Sequence, residues 1–314
     1  MQVISDLHGD YPDGPLAYLG LENFASGGDT SVLMYGINCT VNLPLQDHYR
    51  DYEWKALLDT WSPCSIYSSY DALGHDFHEQ IKYFDKIYTI CPYTAEWINS
   101  LYGYEKMSFF NFPFDRAVAP RKLDKVHDVC YVGGLYGEDH RKGIEVLKKF
   151  DYRFVSLHHY DGVTDVNIPS RSKLNVMAKS KISVCYNLLY LTDEQIFQAN
   201  SYDRILKNEA FSRLDEKILP QIKPRIQDSA MSRSLMLVRE DPWNVMEYFY
   251  TPEEDFLYFT SEKDLEEKIR EISSNWEDYE YITENAYNKA RKWSSESFMA
   301  TCLEDEKKEC LKQL

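Results

Sequence analysis

An Asp and a His two residues apart close the first apolar run of this chain: "MQVIS" is followed by Asp6-Leu7-His8-Gly9. A pair like this at a strand end can begin a two-metal phosphoesterase site, in which ions about 3.5–4 Å apart draw Asp, His and Asn ligands from successive strand ends. "GGDT" puts Asp29 where a bridging carboxylate would stand, and "GHDFH" at 74–78 adds further donors. A Gly-Asn-His block, which such a site also needs, is absent from the sequence. The ligand set is therefore incomplete, and the plainer reading is a polar loop that turns into a helix through Gly9 and Gly14.

Two later stretches suit an anion better. In "YVGGLYGEDHRKGIEVLKKF" a strand ends at Gly133-Gly134, and Arg141-Lys142-Gly143 is expected to open a helix. Glycines let a ligand approach the backbone closely, while a helix N-terminus with two cations suits a diphosphate. Cations there oppose the helix dipole, a mismatch that a bound anion would relieve. In "QIKPRIQDSAMSRSLMLVRE", Lys223 and Arg225 flank Pro224 ahead of a helical run that carries Asp228. Together with Arg233 and Arg239 they form a local positive cluster in a chain of net charge −16. A surface helix with balanced charges is the bland account. The sharper one is an anion site, with a carboxylate placed to accept hydrogen bonds from a ribose diol.

The elements that must position these residues alternate between strand and helix, which predicts an α/β architecture with parallel sheets. Strands are expected at "QVIS", "SVLMYGI", "CSIYSS", "KIYTI" and "MSFFNF", with helices at "YRDYEWKALLDTW" and "YTAEWINSLYG" between them. "PFDRAVAPRKLDK" has no clear period and reads as a linker. A second series follows at "DVCYVGG", "RFVSLHHY", "KISVCYN", "SLMLVRE" and "FLYFT", and then the helical tail "SEKDLEEKIREISSN" and "DYEYITENAYNKARKW". Length supports two domains, an N-terminal one at 1–117 and a second at 125–294, with a final helix at about 295–314 expected to pack back on the first. Ligands of such folds bind outside the carboxyl ends of the strands, in the cleft between the domains.

The net charge of −16 argues against a broad nucleic-acid footprint or an anionic membrane surface. The seven cysteines are scattered without a CxxC pair, several of them in strand-like runs, as expected of buried reduced thiols in a cytoplasmic protein. No signal-peptide pattern or membrane-length apolar run is found, and oligomeric state is not encoded legibly. The 25 Tyr, many beside Asp, Glu or Asn, fit half-buried packing positions before a sugar-stacking surface.

The blocks "VGG", "RKGIEVL", "KPRIQDSAMSRSLML", "NVMEYFYTPEEDFLYF", "DLEEKI" and "ENAYNKARKW" agree in order and character with a known pattern. Over roughly 125–295 the chain resembles the C-terminal domain of GT-B glycosyltransferases of the group 1 and CgeB-like families. The first half matches by layout only. The resemblance implies two Rossmann-like domains facing across a cleft, and transfer of a sugar from a UDP- or GDP-linked donor to a glycan or other small acceptor. It implies no cofactor and no metal, and it favours retention at the anomeric carbon. Carried over by position, Arg141 and Lys142 would bind the donor diphosphate beside Gly133 and Gly134. Lys223 and Arg225 would make further phosphate or sugar contacts. Asp228 stands where the family has a ribose-binding Glu, and Glu247 matches an acidic position near the donor. Asp6 or His8 would face the cleft, with His8 as an acceptor-side base if transfer were inverting.

Two departures stand out. Related retaining enzymes carry a Glu eight residues before the ribose-binding one, and here that place is Pro220. Residues 188–222 form a long insertion, expected to shape the acceptor site or cover the donor. The missing Glu leaves room for a catalytically silent GT-B-like binding module, and the Asp6/His8 loop for a metal-dependent phosphoesterase.

Overall fold

The computed structural model describes residues 2–5, 32–36, 55–59, 84–103, 105–111, 113–200 and 208–313. The apolar runs of the first third pair as strands: β1 (Gln2–Ser5), β2 (Val32–Gly36), β3 (Lys55–Asp59), β4 (Lys86–Thr89) and β5 (Met107–Phe109). They form one parallel sheet in sequence order. Helix α1 (Pro92–Tyr102) joins β4 to β5; Pro92 starts it, and Gly103 ends it at φ 70°. Asn99 then pins α1 to β5, exchanging two 2.8 Å hydrogen bonds with the Met107 backbone.

β3 corrects the sequence reading, which put a helix over "YRDYEWKALLDTW". Its residues 55–59 pair with β2 on one side and β4 on the other. A strand flanked in a parallel sheet is apolar on both faces, and the run Ala56-Leu57-Leu58 suits that place although Leu and Ala favour helix in isolation. Ala56 is fully buried. The expected strand "CSIYSS" lies outside the described residues.

The second domain begins with β6 (His127–Val132), α2 (Glu138–Leu147), β7 (Tyr152–Ser156), β8 (Asp165–Val166), α3 (Ser170–Lys179) and β9 (Ser180–Cys185). The insertion leaves the sheet after β9: β10 (Leu188–Tyr190) pairs antiparallel with β11 (Ile218–Pro220), with α4 (Asp193–Asn200) between them. The domain resumes with α5 (Pro224–Met231), β12 (Leu235–Arg239), β13 (Leu257–Phe259), α6 (Glu262–Ser274) and α7 (Trp276–Ala290). The sheet is parallel, in the order β13-β12-β9-β6-β7-β8. The chain runs outward from β6 to β8, then returns to place β9 on the other side of β6. That reversal opens a crevice beyond the carboxyl ends of β6 and β9.

Contacts join the two sheets. Phe114 and Ser294 form an isolated bridge, and Arg116 donates to the Arg291 carbonyl and the Ser294 hydroxyl, so the 113–125 segment runs beside the end of α7. The last helix, α8 (Ser295–Gln313), returns to the first sheet. Its Phe298 packs edge-on between Tyr88 and Phe110, and Tyr88 donates to Asp305 at 2.9 Å. Burying a Phe side chain contributes about 1.5–3 kcal/mol. Gln227 of α5 ties the domains further, donating to the Ala290 carbonyl at 2.9 Å and accepting from Tyr250 at 2.9 Å and Asn111 at 3.5 Å. Cys91, Cys130, Cys185 and Cys302 are buried. Among the described residues no helix is long and apolar enough to cross a membrane.

Candidate active site

A cleft of about 170 Å³ lies at the crevice. Val132 and Gly133 close β6 on one side, and Val155, Ser156 and Leu157 close β7. Ile168, Ser170 and Lys173 line it from the start of α3, while Pro224, Arg225 and Asp228 come from the first turns of α5. Pro224 fits the first helical position, where a missing N–H costs nothing. Lys223 is the residue before it, so two cations stand at a helix start.

Gly133 has φ 140°, a conformation side chains rarely adopt, and a Cβ there would lie 2.6 Å from the guanidinium carbon of Arg225. The glycine thus lets Arg225 lie flat against the end of β6. Its guanidinium also sits 5.1 Å from the Tyr131 ring centre, and Tyr131 donates at 2.7 Å to the Gly134 carbonyl, fixing the loop. Nη1 of Arg225 is buried without a hydrogen-bond partner among the described residues. A buried guanidinium with an open donor is a ready receptor for phosphate or carboxylate oxygen.

Asp228 is buried and pairs through Oδ2 with Lys173 Nζ at 2.9 Å. Its Oδ1 is buried with no hydrogen-bond partner among the described residues. Burial pushes this carboxyl well above its ordinary range. The ammonium beside it works in the opposite direction, favouring the ionised form.

His140 completes the cluster from α2. Burial first, then the nearby Arg225 and Lys223, push its imidazole down to about 3, so it is neutral at neutral pH. Its Nδ1 accepts from the Gly137 N–H at 3.2 Å, which leaves the ring proton on Nε2, and its ring packs 4.4 Å from Tyr186.

Of the residues expected at the site, Gly133, Arg225 and Asp228 line this one cleft, with Lys223 beside them and Gly134 in the loop above. Arg141 and Lys142 are not among its walls. Helix α2 begins three residues earlier than expected, at Glu138, with Glu138 and Asp139 in its first turn, as the dipole prefers. That register turns His140 inward and leaves Arg141 and Lys142 exposed, with Lys142 paired to Glu138 at 2.9 Å. Gly143 serves packing, since a Cβ there would collide with the Tyr186 hydroxyl. Glu247 is exposed on a single helical turn, Val245–Tyr248, where its Oε1 accepts from Tyr258 at 3.1 Å. Asp6, His8, Asp29 and residues 74–78 lie outside the described residues.

Sequence reasoning missed Lys173, His140 and Asn187. Lys173 reads as one more surface lysine until the fold brings α3 against α5. Asn187 follows β9, is fully buried, and has neither side-chain amide atom paired among the described residues. Its carbonyl accepts from the Gln221 N–H at 2.7 Å, where the insertion rejoins. Only its place in "CYN", at a strand end, hinted at a role.

A second cleft, about 590 Å³, lies between the insertion and the end of β12, lined by Asp139, Tyr190, Glu216, Arg239, Glu240 and Asp241 among others. The insertion also reaches the first domain, where Asn208 donates to the Tyr93 carbonyl at 3.3 Å; Tyr248, on the helical turn Val245–Tyr248, packs edge-on against Tyr93 and Phe109 as well.

No family model and no curated protein matches the sequence. Solved structures do match in fold. A point variant of S. aureus TarM, in complex with fondaparinux, α-GlcNAc-glycerol and UDP, superposes with a TM-score of 0.56 at 10% identity, over 91% of this chain and 57% of that one. The pneumococcal O-GlcNAc transferase GtfA, in complex with UDP and GlcNAc, gives 0.55 at 8%, over 90% and 57%. Anabaena HepE, in complex with UDP and glucose, gives 0.52 at 10%, over 90% and 78%. The chain thus spans little more than half the length of the first two. Two parallel α/β sheets, a crevice at the strand reversal and these likenesses together establish the architecture: the chain has the GT-B fold of glycosyltransferases.

Proposed function

We propose that the protein is a glycosyltransferase that takes its sugar from a nucleoside-diphosphate donor bound in the cleft of the second domain. The observation that carries the reading is the presence, one helical turn apart at the crevice, of a buried guanidinium nitrogen, Arg225 Nη1, and a buried carboxylate oxygen, Asp228 Oδ1, each without a hydrogen-bond partner among the described residues. A nucleoside diphosphate offers the two complements, phosphate oxygens for the cation and pentose hydroxyls for the carboxylate. The three fold neighbours described above were each solved in complex with UDP, which supports the same assignment.

In this reading the apolar wall of Val155, Leu157 and Ile168 receives the base, and Asp228 accepts from a ribose hydroxyl. Arg225 and Lys223 meet the diphosphate at the start of α5. As the glycosidic bond breaks, negative charge grows on the leaving diphosphate, and cations already fixed there stabilise it without reorganising. His140, held neutral, adds a donor or a packing edge but no charge. Gly133 keeps the strand end low enough for the phosphates to approach. Metal independence and retention are parts of this proposal that rest on the resemblance, with the acceptor left to the first-domain side of the cleft. Glu247 is proposed to approach the donor from the second domain, and the Asp6/His8 loop to face the cleft from the first.

Incubation with UDP- and GDP-sugars in EDTA tests it, with release of nucleoside diphosphate followed over time. Slow donor hydrolysis without acceptor supports a transferase. Stabilisation by nucleotide with no turnover under any acceptor supports the silent module, and activity that appears only with added Mn²⁺ or Zn²⁺ on simple phosphate esters overturns the reading. At a hundredfold excess over Kd, a ligand adds about 2.7 kcal/mol to stability, an easily read thermal shift.

A further inference from the structure

Lys173 is the least expected member of the cleft. It sits in the first turns of α3, where a cation opposes the helix dipole, yet its side chain is only 18% exposed and its ammonium meets Asp228 at 2.9 Å. A purely structural ion pair would be expected to satisfy both carboxylate oxygens. Here Oδ1 stays unpartnered among the described residues, in a side chain that lines the cleft.

We propose that Lys173 is a positioning residue for the donor: by occupying Asp228 Oδ2 it holds the carboxylate ionised, with Oδ1 kept to accept a pentose hydroxyl. The inference rests on the nucleotide-donor reading above and adds to it a residue outside the motif pattern. Among the described residues, the charged side chains that line the cleft with Asp228 are two. Lys173 comes from α3 and Arg225 from its own helix. From β9 comes Cys185, bonded to Ser229 of α5, whose thiol burial pushes up to about 11 and so keeps neutral. The packed α7 meets α5 through uncharged Gln227, and the walls from β6 and β7 supply no titratable side chain.

The sign of the effect follows. Burial raises the carboxyl above its ordinary value, and an ammonium 2.9 Å from it opposes that rise by favouring the charged form. Without the ammonium the carboxyl takes up its proton at a higher pH, and a protonated Asp228 is a poorer acceptor for a sugar hydroxyl. Loss of donor affinity on acidification should then begin at higher pH.

The experiment measures UDP-glucose and uridine affinity calorimetrically from pH 5 to 9 in the wild-type chain and in Lys173→Met, Lys173→Arg and the double variant Lys173→Met/Asp228→Asn. UDP-glucose serves because its diester phosphates do not titrate in this range. The proposal expects the acid limb of Lys173→Met to lie at least one pH unit above the wild-type limb, a tenfold loss for both ligands at a pH on that limb. Lys173→Arg should keep the wild-type limb. The double variant, with neither charge of the pair left, should fold stably and bind about tenfold more weakly without that limb. If Lys173→Met does not fold, the arginine and double variants carry the same comparison. A Lys173→Met limb superimposed on the wild-type one, a Lys173→Arg limb shifted from it, or wild-type affinity in the double variant, would overturn the role of Lys173 alone. A wild-type chain that binds neither UDP-glucose nor a GDP-sugar would overturn the donor reading itself.

Discussion

Replacing Gly133 with Ala tests whether the end of β6 is built around Arg225. The new Cβ would stand 2.6 Å from the guanidinium carbon and closer still to Nη2, where ordinary contact begins at about 3.4 Å, so the side chain must recede by more than about 0.8 Å. The backbone there has φ 140°, and a side chain in that region costs about 1–3 kcal/mol. For a chain of this size that is a Tm drop of several degrees, at about 2–4 °C per kcal/mol. The effect on binding is separable. A charge-assisted hydrogen bond contributes about 1.5–3 kcal/mol, so displacing the guanidinium should weaken UDP binding about tenfold to a hundredfold. Uridine, which has no phosphate, should bind almost as before. Isothermal titration of both ligands to wild type, Gly133→Ala, Arg225→Ala and the double variant makes the comparison. The glycine acts through the arginine, so the double variant should lose no more than Arg225→Ala alone. Equal losses for uridine and UDP, or additive losses in the double variant, would refute the reasoning.

Three further outcomes are expected. Lys223→Ala should weaken UDP binding far more than uridine binding, whereas Arg141→Ala and Lys142→Ala, on the outer face of α2, should change UDP affinity less than twofold in the same titration. Asp241, buried beside the second cleft, has a carboxyl raised to about 6 by burial, partly opposed by the Trp243 and Asn244 N–H groups. Its folded form therefore holds a proton more tightly than the unfolded chain, so stability falls by up to about 3 kcal/mol as pH rises from 4 to 7. Urea melts at both pH values should show that part of the slope removed in Asp241→Asn. Gly143→Ala, which drives a methyl group into the Tyr186 hydroxyl, should cost about 1–3 kcal/mol of stability in the same melts while leaving UDP affinity intact.

The strands of the second domain were legible because each is a short apolar run of β-branched and aromatic residues, as in "DVCYVGG" and "KISVCYN", bounded by turn residues. The anion site was legible at Lys223-Pro224-Arg225 because proline marks the helix start, which fixes where the two cations and Asp228 stand relative to it. The same logic misplaced α2. "GEDHRKG" contains two plausible starts, and acidic Glu138 and Asp139 with Gly137 before them take the N-terminus over the later Arg141-Lys142. β3 has the local preferences of a helix, and only pairing on both edges, a non-local effect, makes it a strand. Lys173 and Asn187 could not be found by spacing, since what distinguishes them is burial and an ion pair across 55 residues of chain.

On this account Arg225 Nη1 and Asp228 Oδ1, both buried and without a hydrogen-bond partner among the described residues, await the two ends of one nucleoside diphosphate. A crystal structure of the protein with UDP tests it most directly. The account predicts phosphate oxygens within hydrogen-bond distance of Arg225 and Lys223, and a ribose hydroxyl within that distance of Asp228 Oδ1. Nucleotide bound elsewhere, with Arg225 and Asp228 as they stand without it, would contradict the account.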